Sequence, residues 1–205
     1  MISSALLDVY AQQERLCPYF DMPMQHASDR LLRTMKRGYT QRTLCRLLDT
    51  IRQRLPEATI RSTFIVGFPG ETPADVEELL QFLEWAQLDR VGVFTYSREE
   101  GTPSYALPNQ VPAREAARRR RAVMTLQQEI SQRKHQALVG RHMWAMVDED
   151  ATETQPAVGR LASQAPDIDG VVYIDGQVTS GDLVLVEITS AKAYDFTARV
   201  VQPAT

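Results

Sequence analysis

Three short clusters in this chain place polar, aromatic or conformationally free residues where a ligand could meet them. They are Gln25-His26-Ala27-Ser28, Gly67-Phe68-Pro69-Gly70-Glu71 and Phe94-Thr95-Tyr96. The middle cluster follows the apolar run Phe64-Ile65-Val66 and precedes Thr72-Pro73-Ala74-Asp75, which has the pattern of a helix start. Thr72 suits the N-cap, Pro73 the first helical position, and Asp75 stands three residues after the cap. Gly67 and Gly70 let a backbone approach something closely or turn sharply. A ligand lying across the strand end would find bare backbone, an apolar surface and a helix N-terminus. The same residues also describe an ordinary strand-to-helix turn. His26 by itself is equally a hydrogen-bonded structural histidine, and Gln25 and Ser28 could cap a helix starting near Asp29. No Ser-His-Asp or Cys-His arrangement, Walker loop or Gly-x-Gly-x-x-Gly loop is visible. Cys17 and Cys45 are 28 positions apart, without metal-type spacing, and are expected to be buried free thiols.

The elements that must position these clusters alternate. Tyr19–Met24, Ala58–Val66 and Arg90–Tyr96 read as strands. Between and before them, Ser4–Gln13, Asp29–Met35, Gln41–Leu55 and Ala74–Gln87 carry apolar residues at helical spacing. Alternation at this interval predicts a parallel sheet. Pro103, Pro108 and Pro112 then break the pattern, and Ala113–Val139 reads as one long helix bearing Arg118 to Arg121. That arginine run fits a solvated helix face or a contact with an acidic partner or nucleic acid. From Gly140 onward the texture changes to five short strand candidates: His142–Val147, Ala157–Arg160, Val171–Ile174, Leu183–Thr189 and Thr197–Val201. Glycines punctuate them, as in a small antiparallel barrel.

The chain of 205 residues has 43% hydrophobic and 24% charged residues, the balance of a water-soluble globular protein. No apolar run approaches the ~18 residues of a membrane span, so a cytoplasmic, membrane-free, monomeric protein is expected. Charge divides unevenly. Residues 1–139 carry 19 basic against 16 acidic side chains, a net of +3, whereas residues 140–205 carry 4 against 10, a net of −6.

Ile65-Val66-Gly67-Phe68-Pro69-Gly70-Glu71-Thr72 resembles the motif after the fifth barrel strand of the radical S-adenosylmethionine (SAM) methylthiotransferases. Pro23 to Ser28, Leu32 to Arg37, Asp89 to Ser97 and Glu100 to Pro103 agree in order. Ala165 to Tyr173 is more similar to the branch that modifies a ribosomal protein (RimO type) than to the tRNA-modifying branch (MiaB type). The resemblance implies an α/β fold: a partial (half) radical SAM TIM-type barrel with parallel strands over residues 1–139. A small all-β, OB-like TRAM barrel would follow over residues 140–205. It implies SAM across the mouth of the barrel, with ribose or substrate contacts from Gln25, His26 and Ser28. Adenine would meet Ile65, Val66 and Gly67, and Phe94 to Tyr96 would close that side. Arg61 and Glu71 are further candidates. Substrate contacts are expected from Arg37, Asp167 and Asp169.

The resemblance also implies S-adenosylmethionine and two 4Fe-4S clusters as cofactors. Each cluster needs three closely spaced thiolates, and Cys17 with Cys45 cannot supply them, so no cluster ligand is expected from this chain. The expected activity is transfer of a methylthio group to the β-carbon of an aspartate in small-subunit ribosomal protein number twelve. A tRNA substrate is the alternative, and a non-catalytic binding fragment is a third reading, because cluster cysteines are missing. The charge division favours a protein partner. An acidic barrel repels phosphates and attracts a basic ribosomal protein.

Overall fold

The computed structural model describes residues 2–202. It resolves into two compact units, residues 1–14 with 20–130, and residues 15–19 with 131–205.

In the first unit helices α1 (Ser4–Gln12), α2 (Asp29–Thr34), α3 (Gln41–Arg54) and α4 (Pro73–Ala86) accompany strands β1 (Tyr19–Asp21), β2 (Thr59–Val66) and β3 (Arg90–Thr95). The strands form one sheet in the order β1-β2-β3. Strand β2 pairs in parallel with β3, from Arg61 opposite Arg90 to Val66 opposite Thr95. Beyond β1 the chain stays beside β2, where Gln25 bridges Phe64 in parallel. Strand β1 stops earlier than the run Tyr19–Met24 suggests, because Pro23 lacks an N–H for the ladder.

Alternation along β2 and β3 separates two faces. Phe64, Val66 and Val93 are at most 4% exposed and pack with Leu48, Ile51, Leu79, Phe82, Leu83 and Val123 into one apolar core. Ile65 and its neighbour Phe94 lie on the opposite face, and Phe94 is 61% exposed. Helix α3 begins at Thr40, whose hydroxyl accepts from Thr43 N–H. Helix α4 starts with the reciprocal capping box that Thr72 and Asp75 encode, with Pro73 in the first turn. Residues 96–112 form no helix or strand, in keeping with the interruption by the prolines. Helix α5 (Ala113–Gln136) follows.

The second unit holds a closed barrel of β4 (His142–Glu149), β5 (Ala157–Leu161), β6 (Val172–Asp175), β7 (Leu183–Ala191) and β8 (Phe196–Gln202). Its order is β4-β5-β6-β8-β7, closed by β4 against β7, with β6 and β8 parallel. This is the five-stranded, OB-like arrangement. Ala145, Val147, Val172, Val184, Val186, Ile188 and Phe196 fill its interior. No helix among the described residues is long and apolar enough to cross a membrane. The cysteines differ from expectation: Cys17 is exposed and Cys45 only half-buried. Cys17 lies in the turn before β1, where no core forms around it. Cys45 flanks the buried stripe of α3, and its thiol pKa is raised by burial and by Asp49.

Candidate functional site

The loops that leave β1 and β2 at their carboxyl ends are locked together by side chains. Gln25 sits at φ 63°, a conformation uncommon for a residue with a side chain. Its N–H donates to Thr63 O and its carbonyl accepts from Ile65 N–H, which holds the loop to β2. The next residue, His26, is fully buried. Its Nδ1 accepts from Ser28 N–H at 2.9 Å, so the ring proton resides on Nε2, which donates to Glu71 Oε1 at 3.1 Å. Glu71 in turn accepts the Gly67 N–H through Oε2.

Arg119 of α5 completes this arrangement. Its Nη1 donates to Glu71 Oε2 at 2.8 Å and to the Glu71 carbonyl at 3.0 Å, while its Nε donates to Glu115 at 2.8 Å. Burial opposes the charge on Arg119, but Glu71 and Glu115 overcome it and raise its pKa. Glu115, on the surface, is held at about 2 by hydrogen bonds from Arg118 and Arg119.

A second network lies beside the first. Asp75 accepts from Ser28 Oγ at 2.7 Å, from Thr72 N–H at 2.8 Å and from Thr72 Oγ1 at 2.6 Å, and Arg30 pairs with it. Burial would raise the Asp75 pKa, yet these donors outweigh it and hold it at about 2. Ser28 occupies the N-cap position of α2, but its hydroxyl is turned to Asp75 instead of capping that helix.

Gly67 takes φ +75°, and a Cβ there would stand 2.5 Å from Ala116 Cβ. The room beside this glycine is filled by α5, and its N–H is taken by Glu71.

The expected site residues therefore fall into distinct settings. Gln25, Ile65, Phe94 and Tyr96 are partly or largely exposed at or near the strand ends. His26, Ser28, Val66, Gly67 and Glu71 lie buried behind them. Phe68 and Tyr96 stack edge to face at 5.2 Å. Arg61 pairs with Asp21 at 2.5 Å on the face shared with Ile65. Arg37 is exposed after α2. Asp167 is exposed at φ 62°, next to Ile168, which is 61% exposed. Asp169 is engaged within its own unit, accepting from Tyr19 Oη at 2.7 Å and from Ala165 N–H at 2.9 Å.

Sequence reasoning did not single out Arg119, reading the whole arginine run as a solvated helix face or a contact with an acidic partner or nucleic acid. A signal was present: Ala116, Arg119, Val123, Gln127 and Ile130 recur at helical spacing, and all are at most 6% exposed. Chemically, the networks fix backbone and exclude water around the strand ends. Among the described residues no three His, Cys, Asp or Glu side chains group as a metal site. An iron–sulfur cluster does not fit the donor set here, and Ile65 and Phe94 leave an apolar surface partly exposed beside the strand ends.

Residues 3–83 match the radical SAM superfamily and residues 139–201 match the TRAM domain. The chain is 46% identical over 198 residues to a ribosomal protein uS12 methylthiotransferase RimO of Sorangium cellulosum, covering 96% of this chain and 41% of that protein. It is 47% identical over 202 residues to the RimO protein of Anaeromyxobacter sp. strain K, covering 98% of this chain and 43% of that one. The RimO protein of Thermosynechococcus vestitus is 47% identical over 180 residues, which is 88% of this chain and 40% of the relative. The chain thus spans about two fifths of the length of these curated relatives, and it matches their C-terminal part.

Proposed function

We propose that this chain is the substrate-positioning portion of a radical SAM methylthiotransferase that acts on ribosomal protein uS12. The reaction replaces a hydrogen on an aspartate β-carbon with a methylthio group. The observation that carries the reading is identity of 46–47% to RimO proteins across nearly the whole chain, through both the sheet and the barrel.

In this reading SAM supplies the radical chemistry when held at a cluster, and the protein supplies position and dryness. Ile65 and Phe94 offer the adenine an apolar surface, with Gln25 and Tyr96 at its edge. His26, Ser28, Gly67 and Glu71 act one layer behind, holding the two loops in register. Cys17 and Cys45 take no part. Arg37 and Asp167 are exposed and available to a protein substrate, while Asp169 shapes the loop that carries Asp167.

The net −6 of residues 140–205 supports a basic protein as partner over tRNA. The setting of such a reaction is the cytoplasm, where ribosomal proteins are met. The test uses the complete gene product, reconstituted with iron and sulfide under anaerobic conditions and given SAM, reductant and purified uS12. Mass spectrometry should find one methylthio group on an aspartate of uS12. A modified tRNA and an unmodified uS12 would refute the assignment.

A further inference from the structure

The turn after β2, Gly67 to Glu71, is gripped from one side by the segment that leads into α5. Gly70 N–H donates to Asn109 O at 2.8 Å. Ala116, 4% exposed, stands where a side chain on Gly67 would point. Arg119, one helical turn further on, reaches Glu71 twice, at the carboxylate (2.8 Å) and at the carbonyl (3.0 Å). The two side chains are almost wholly buried, Arg119 at 7% and Glu71 at 0% exposed.

A buried ion pair is an inefficient source of stability, because desolvation offsets most of the attraction and apolar residues of similar volume often do as well. What this pair supplies is geometry. The planar guanidinium bonds Glu71 through Nη1 and Glu115 through Nε, which fixes the direction of the Glu71 carboxylate. That direction aims Oε2 at the Gly67 N–H and Oε1 at His26 Nε2. Position thus passes from α5, through one carboxylate, to the backbone two residues beyond Ile65 and to the loop that carries Gln25.

We infer that Arg119 is a positioning residue for nucleoside binding, acting through Glu71 and touching no ligand itself. The inference deepens the reading in which Ile65 and Phe94 face the adenine, and rests on it. A flat ring held by dispersion is sensitive to small displacements, since a gap of ~0.5–1 Å forfeits roughly a quarter to a half of the contact energy. Without the guanidinium, Glu71 is an uncompensated buried charge that gains by turning toward water. Gly67 and His26 then lose their common acceptor. Arg120, the next residue, donates instead to Val93 O of β3 at 2.8 Å. It supplies a control in which the same helix loses the same charge.

The experiment compares Arg119→Met, Arg119→Lys and Arg120→Met with the parent. Hydrogen exchange of the Gly67 amide is read by NMR on the 205-residue chain, with thermal unfolding alongside. Binding of S-adenosylhomocysteine is measured by calorimetry on the complete gene product reconstituted with iron and sulfide. Arg119→Met should speed Gly67 exchange and weaken binding at least ~tenfold. Arg119→Lys keeps the charge without the planar geometry and should recover part of both. Arg120→Met should match the parent. A lower melting temperature with unchanged affinity in Arg119→Met makes the pair structural only and overturns the inference, while the nucleoside reading stands. Lost affinity with unchanged Gly67 exchange, or an equal loss in Arg120→Met, overturns it as well. Should Arg119→Met fail to fold, a folded Arg119→Lys with the parent's affinity and exchange overturns it. A parent protein that does not bind the probe removes the nucleoside reading and the inference together.

Discussion

At the scale of single residues, Gly67 shows how a glycine can be required from two directions at once. Its φ of +75° disfavours any side chain, and a Cβ would overlap Ala116 on the neighbouring helix. These two costs can be separated. Gly101 has a similar φ of +79°, yet a Cβ there would meet nothing within 4 Å. Gly101→Ala should therefore cost about 1 kcal/mol, from backbone strain alone. Gly67→Ala should cost about 2–4 kcal/mol, the excess reporting the overlap. Urea unfolding of the two variants measures the difference. Equal losses would mean that α5 yields freely at Ala116, and that the space beside Gly67 is open to a ligand after all. His26 illustrates the same point with a polar group. Its two ring nitrogens are both committed, one to Ser28 and one to Glu71. In this state it holds loops together and has no nitrogen left for a ligand.

At the scale of elements, the start of α4 is more than a cap. The carboxylate of Asp75 closes the capping box with Thr72 and also receives Ser28 and Arg30 from the β1–α2 side. One residue thus ends a loop, begins a helix and ties both to a second loop. Its pKa of about 2 lies below the usual 3.8, so the folded protein binds its proton less readily than the unfolded chain. The associated stability is fully present above the unfolded value and is lost as pH falls through the folded one. It amounts to on the order of 2 kcal/mol. We expect stability to decline between about pH 5 and about pH 2, and Asp75→Asn to flatten that decline while lowering stability at neutral pH. Urea midpoints across that range check it. An unchanged slope in the variant would place the acid sensitivity elsewhere.

At the scale of the whole molecule, the chain pairs a three-stranded parallel sheet, covered by helices on one face, with a closed barrel. The sheet's other face carries Ile65 and Phe94 in partial exposure, the kind of surface on which a cofactor or further structure rests. The cysteine inventory limits what this chain does unaided. Cys17 and Cys45 are free, and neither belongs to a metal-holding group among the described residues. Incubated with iron and sulfide without oxygen, the 205-residue chain should remain colourless and leave SAM intact. Stoichiometric absorbance near ~400 nm, where iron–sulfur charge transfer falls, would contradict this.

The sequence by itself determined the elements and their order, since periodicity, proline and capping residues act over a few positions. Thr72-Pro73-Ala74-Asp75 read correctly as a helix start, and the strands around Gly140 to Val201 read correctly as a barrel. Its motifs also pointed to the radical SAM and TRAM resemblance that the comparisons support. What only the tertiary structure decided was which side chains turn inward and whom they meet. Arg119 lies 48 positions from Glu71, and although helical spacing puts it on the stripe of Ala116 and Val123, nothing local names the carboxylate it meets. Its burial depends on α5 crossing the loop at Gly67, a long-range fit. The thiols of Cys17 and Cys45 were misjudged for the same reason, because cysteine's general preference for the interior says nothing about whether a core forms at that place. Likewise the outward apolar residues of β4 and β7 come together only through register. Trp144 and Leu185 are far apart in the chain and adjacent across the ladder. Local chemistry selects elements, and their packing selects sites.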